Sequence, residues 1–180
     1  MVWMNQEALL SWYRRIQRPL PWRLEPSPWS ILLSEILLQQ TQMERGIAYH
    51  AKLLERFPTV QSMAESSVDE VLHLWQGAGY YSRARRLHAL AVDVVELHGG
   101  VLPIDYESLL QLPGIGPYTA AAIASIAFMQ PVACVDGNIR RVMARQTNQE
   151  DPSLKQVQTF ADTHLVSKSP GDWNQAMMEL

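Results

Sequence analysis

Two carboxylates stand in surroundings that would give them opposite charge states. Glu35 lies within Ile31-Leu32-Leu33-Ser34-Glu35-Ile36-Leu37-Leu38. On a helix its neighbours one turn away are Ile31, Leu32 and Leu38, so the carboxyl would emerge from a mostly apolar face. Desolvation there favours the neutral form, which a general acid needs near neutral pH. A glutamate turned to solvent or paired with an arginine is an equal alternative from these residues alone. Asp136 opens Val135-Asp136-Gly137-Asn138-Ile139-Arg140 and suits a helix N-cap. The cap bonds and the helix dipole would keep it charged. One protonated carboxyl beside one ionised carboxylate is a pairing that cleaves glycosidic bonds through a cationic transition state.

A third motif is a place to hold an anion. Leu112-Pro113-Gly114-Ile115-Gly116-Pro117-Tyr118-Thr119-Ala120 joins a short helix to an alanine-rich one. The two glycines, Gly114 and Gly116, admit backbone angles that other residues resist, so a very tight hairpin is expected. Its amides and the next helix N-terminus would then face outward and bind a phosphate without a basic side chain. This matters because the net charge is −3, which speaks weakly against nucleic acid as a partner. Basic residues do cluster at Arg83, Arg85 and Arg86, and at Arg140, Arg141 and Arg145, although each cluster alone reads as a solvated helix face. An ordinary helix-to-helix turn is the plainer alternative for the hairpin.

The elements that must position these residues are helical throughout. Leu9, Trp12, Tyr13 and Ile16 recur at helical spacing, and the pattern stops before Pro19 and Pro21. Ser27 and Pro28 predict a helix to about Gln40, and a further helix spans about Met43 to Phe57. Thr59 and Ser67 suit N-caps, the latter with Glu70 completing a capping box. A long helix follows Gly79 to His98, with Gly99 as its cap. Shorter helices follow from Asp105 to near Leu112, from Pro117 to about Met129 and from Asp136, and two amphipathic helices fill the tail. The expected fold is all-α. Its domains are a six-helix-barrel lobe over 22–132, containing the hairpin, and a second lobe from 1–21 and 133–180.

Several classes are set aside. Cys134 is the single cysteine, so neither an internal disulfide nor a cysteine metal cluster fits these residues. No apolar run reaches the roughly 18 residues a membrane span requires, and no secretory signal is visible at the N-terminus.

Together these residues carry a family resemblance. Glu35 with Gln39-Gln40-Thr41-Gln42, Gly77-Ala78-Gly79-Tyr80-Tyr81 with Arg83 and Arg85, the Leu112–Ala120 hairpin, Asp136-Gly137-Asn138, and Asn174-Gln175-Ala176 resemble the MutY adenine DNA glycosylases. That family belongs to the helix-hairpin-helix base-excision superfamily and removes adenine mispaired with 8-oxoguanine. The resemblance implies that Glu35 protonates the adenine, at N7, and that Asp136 stabilises the sugar oxocarbenium ion by charge or a transient bond. Tyr118 and Asn138 would help position Asp136, the sugar and water. Gln40 and Tyr80 would enter the base stack when adenine is extruded, with Thr41, Arg83, Gly114 and Gly116 also on the DNA. Trp22, Arg23, Leu38 and Gln175 would line the adenine pocket, though core packing explains Trp22 and Leu38 equally well.

The lyase-type relatives resembling endonuclease III carry a nucleophilic lysine where Tyr118 stands. The only lysines here are Lys52, Lys155 and Lys168, so Schiff-base chemistry is not expected. A non-catalytic helix-hairpin-helix DNA-binding module is the rival from another class; binding alone would need neither Glu35 nor Asp136. The implied partner is double-stranded DNA with A:8-oxoG or A:G mispairs, met by a monomer in a bacterial cytoplasm, at the nucleoid. The family continues into four cysteines that hold a [4Fe–4S] cluster and then a domain recognising 8-oxoguanine. The apolar stripe Trp173, Ala176, Met177 and Leu180 leads us to expect a natural chain that continues past Leu180 into that segment.

Overall fold

A computed structural model describes residues 5–180. Twelve helices and no strand are found among them. In chain order they are α1 (Gln6–Ile16), α2 (Pro21–Leu24), α3 (Pro28–Leu37), α4 (Met43–Arg56), α5 (Val60–Ala64), α6 (Val68–Leu74), α7 (Ser82–His98), α8 (Tyr106–Leu110), α9 (Pro117–Phe128), α10 (Gly137–Thr147), α11 (Leu154–His164) and α12 (Pro170–Glu179). No described helix is long and apolar enough to cross a membrane.

The described residues divide into two compact units, one of residues 19–116 and one of residues 5–18 with 117–180. The second boundary therefore falls at 116/117 rather than at the expected 132/133. The reason is the packing of α9 on α12. A Cβ added at Gly171 of α12 would lie 2.8 Å from the Cα of Ile126 and 2.9 Å from the Ser125 carbonyl oxygen. Only glycine lets the two helix backbones approach so closely. The alanines of α9 serve the same end, with Ala120, Ala121, Ala122 and Ala124 buried. In this terminal unit α1 also packs on α12, and α10 packs on α11 and α12.

In the 19–116 unit, α3 packs on α4 while α5 and α6 pack on α7. Leu32, Leu33, Leu37, Leu53, Phe57, Met63, Trp75, Leu87 and Leu90 are fully buried among them. Helix ends follow local chemistry. Ser27 accepts from the Ser30 amide, Ser67 from Glu70 and Asp105 from Ser108. The capping box, however, is at Thr59, where Ser62 returns the bond. At Ser67 the box is not completed, because the Glu70 carboxylate is held by Arg56 at 2.6 Å. The Pro19–Pro21 segment, expected only to end α1, also starts the one-turn helix α2, since proline suits a first helical position.

Candidate active site

Asp136 is the N-cap of α10, and its carboxylate is held from three directions. Oδ1 accepts from the amides of Asn138 and Ile139, both at 2.9 Å. Oδ2 accepts from the side-chain amide of Asn138 at 2.8 Å. Arg141, one turn on, donates to the Asn138 carbonyl oxygen at 2.8 Å, which fixes the orientation of that amide. These three donors lie at the amino end of α10 and are all directed at the carboxylate. The carboxylate is half-buried rather than sealed. A cavity of 210 Å³ opens beside it, lined by Val135, Gly137, Arg140, Leu154 and Val157. Asp136 thus has the cap role and an accessible face together.

The segment leading into Asp136 has no regular structure to stiffen it, and Asn174 supplies the lack. This α12 side chain is fully buried. Its oxygen accepts from the Cys134 amide at 2.9 Å, and its nitrogen donates to the Val132 carbonyl at 2.9 Å and to Ser125 Oγ at 2.8 Å. One amide therefore joins α9, α12 and residues 132–134, with each polar atom satisfied.

Glu35 sits in α3, half-buried between residues that are almost wholly inside. Ile31 and Leu32, one turn earlier, are 2% and 0% exposed, and Leu38 is half-buried. Mid-helix amides are already bonded within α3, so its own helix offers the carboxylate none of the donors that α10 offers Asp136. His50 shows how this interior treats charge. It is buried against Ser30 of α3, with Nε2 at 3.0 Å from Ser30 Oγ, and desolvation pulls its pKa below the ordinary histidine value. Trp22 is buried with its ring edge-on to His50 at 5.0 Å, and Arg23 beside it is half-buried.

Two loops of the same unit end in strained, exposed residues. Gln40 follows α3 with φ +61°, and Tyr80 precedes α7 with φ +50° and 61% of its surface exposed. Left-handed backbone at residues other than glycine costs on the order of 1 kcal/mol or more and persists only where the surroundings enforce it. The enforcing residue is Arg83. The resemblance puts it on DNA, but it is 8% exposed and both of its terminal amino groups donate to the protein, while the buried Nε has no partner. Nη1 donates to the carbonyls of Ile36 at 2.9 Å, Leu37 at 2.8 Å and Gln39, capping the open end of α3. Nη2 donates to Thr41 Oγ1 at 3.1 Å and to the Gly79 carbonyl at 3.3 Å. A cation at a helix C-terminus is favourable, and there is no glycine cap here to do the work. Arg85 and Arg86 are exposed.

In the hairpin after α8, Gly114 has φ +80°, and a Cβ there would lie 3.0 Å from Arg86 Cβ. Gly116 needs no such angle and would meet open space, so the expected symmetry of the two glycines does not hold. The Ile115 amide turns back to the Leu112 carbonyl at 3.1 Å, which removes it from the set of outward donors. Tyr118, in the first turn of α9, directs its hydroxyl to Met178 Sδ at 3.5 Å, and Gln175 donates to the Gly171 carbonyl at 3.2 Å.

The structure thus brings Asp136 and Asn138 into direct contact, and groups Gln40, Thr41 and Tyr80 through Arg83. Arg141 and Asn174 have positioning roles that local sequence does not signal. For the iron–sulfur cluster the residues present do not fit. The single cysteine, Cys134, is buried, and no group of three metal-ligating side chains occurs among the described residues.

Comparison with known proteins gives a consistent result. A family profile described as HhH-GPD superfamily base excision DNA repair protein matches residues 33–164. The adenine DNA glycosylase of Homo sapiens is 45% identical over 187 residues, covering 96% of this chain and 34% of that protein. The chain spans about a third to a half of the length of the curated relatives it matches. A thermostable thymine-DNA glycosylase structure superimposes with a TM-score of 0.88 at 27% identity, over 97% of this chain and 82% of the other. A non-covalent endonuclease III–DNA complex shares the fold, with a TM-score of 0.81 at 21% identity over 96% and 80% of the two chains.

Proposed function

Because the chain belongs to the HhH-GPD superfamily of base excision DNA repair proteins, we propose that Glu35 and Asp136 excise adenine from duplex DNA. The observation that carries this reading is the divergence of the two carboxylates. Asp136 faces three hydrogen-bond donors on a helix N-terminus, while Glu35 rises from an apolar helix. Similarity to adenine DNA glycosylases supports the choice of base.

In the proposed reaction adenine is first extruded, since its reacting atoms are inaccessible within the stack. Glu35 gives its proton to N7. The C1′–N9 bond then breaks, and its electron pair leaves with adenine as a neutral base. Asp136 faces the oxocarbenium ion left on the sugar, where a fixed anion is most effective. Water adds at C1′, its proton passes to a carboxylate, and an abasic site remains. Asn138 and Arg141 keep Asp136 aimed without consuming its charge. Phosphates are held by the hairpin at Gly114–Gly116 and the start of α9. The reading extends to a mispair with 8-oxoguanine or guanine, and to base removal without strand cleavage, since Tyr118 stands where the lyase-type relatives carry lysine.

The test is single-turnover incubation with a duplex carrying adenine opposite 8-oxoguanine. Alkali should reveal a nick at the adenine, with none before alkali and no adduct trapped by borohydride. Intact DNA after alkali would overturn the reading. A borohydride adduct would overturn only its monofunctional part.

A further inference from the structure

The guanidinium of Arg83 touches both strained loops of the 19–116 unit. It binds the Gln39 carbonyl and Thr41 Oγ1 on either side of Gln40, and the Gly79 carbonyl next to Tyr80. It also lies over the Trp75 ring at 5.3 Å and the Tyr80 ring at 5.6 Å. Trp75 reinforces the second loop by donating Nε1 to the same Gly79 carbonyl at 2.9 Å. A residue serving only as a helix cap would need the α3 carbonyls alone. Here the second amino group reaches across to the other loop, and each loop's tip has left-handed backbone.

We propose that Arg83 is a positioning residue that presents Gln40 and Tyr80 to the duplex as one rigid, two-pronged wedge. The inference rests on the reading that adenine is extruded from a duplex. Extrusion requires a paired base to be unstacked and its place filled, at a cost of a few kcal/mol that is least for a base already unpaired. Prongs that are strained and fixed before binding lose little conformational freedom when they enter the stack. Arginine suits the position because its planar fork satisfies several acceptors in fixed directions. A lysine ammonium on a flexible stem cannot hold both loops together. Arg83 itself touches neither base nor sugar in this scheme, so its loss acts through Gln40 and Tyr80.

The experiment compares Arg83→Lys with the parent protein on two substrates under single-turnover conditions. One is a fully paired duplex with adenine opposite 8-oxoguanine, and the other the same strand with that adenine in an unpaired bulge. Slowing of about tenfold or more is expected on the paired duplex and within about twofold on the bulge, because the bulged base needs little unstacking. Equal slowing on both, or no slowing on the duplex, would overturn the inference while leaving the glycosylase reading intact. A parent inactive on both substrates would overturn that reading and this inference with it. Thermal unfolding of Arg83→Lys is measured alongside. Should that variant not fold, Trp75→Phe removes the other donor to the Gly79 carbonyl and leaves the guanidinium and its ring contact in place. A smaller slowing confined to the paired duplex is then expected; uniform slowing or none would overturn the proposal.

Discussion

Glu35 and Asp136 carry the same functional group into two unlike surroundings. Around Asp136 the protein is polar and directional, with two backbone amides and one side-chain amide on the carboxylate and Arg141 behind them. Around Glu35 it is the apolar helix α3, with Ile31 and Leu32 one turn away 2% and 0% exposed, in an interior whose desolvation lowers the pKa of His50. Helix geometry makes the difference. A first-turn position meets unpaired amides of its own helix, whereas at a mid-helix position those amides are already bonded and the nearest neighbours on the helix are the side chains one turn away. The same functional group is thus placed in two unlike local surroundings by its position along a helix.

Removing the acid should have the largest effect. Glu35→Gln keeps the shape and loses the proton, so adenine release should fall by about 10²–10⁴-fold, the usual contribution of general acid catalysis. Duplex affinity, measured by fluorescence anisotropy, should stay within a few-fold. Release at more than about a tenth of the parent rate would deny Glu35 its role.

Asp136→Asn should follow, with release reduced by about 10²–10³-fold as the charge facing the sugar cation disappears. Asparagine still caps the helix, so thermal unfolding should move little. Asp136→Ala loses the cap as well and should be destabilised by about 1 kcal/mol relative to Asp136→Asn. Equal stability of the two variants would mean that the cap bonds contribute nothing.

The smallest effect concerns the interior itself. Because the folded protein holds His50 below its ordinary pKa, the unfolded chain takes up that proton first as pH falls. Stability from the neutral imidazole is thus present above the unfolded value, near 6.5, and declines as pH falls through it. The melting temperature should drop less steeply between neutral and mildly acidic pH in His50→Phe than in the parent. Parallel curves would show that this interior does not penalise charge.

Local signals made most of the helical frame legible. Ser27, Thr59, Ser67, Asp105 and Asp136 cap helices where their side chains and the following apolar spacing predict. The predicted span to Gln40 fails at its end because α3 stops at Leu37, capped by an arginine from α7. Nothing in residues 38–42 announces a partner more than forty positions away. The same limit hides Asn174, which secures residues 132–134 from α12, and the Glu70 carboxylate, which Arg56 draws away from Ser67. Chemistry carried by one residue and its helical neighbours can be read from sequence; positioning by distant side chains cannot.

The proposed division of labour between the two carboxylates is tested most directly at the atom that Glu35 should protonate. A duplex carrying 7-deazaadenine opposite 8-oxoguanine replaces N7 with carbon while retaining the pairing edge. The account predicts that the protein binds this duplex about as tightly as the adenine duplex and releases no detectable base from it in single-turnover incubation. Release of 7-deazaadenine at a rate comparable to adenine would contradict it.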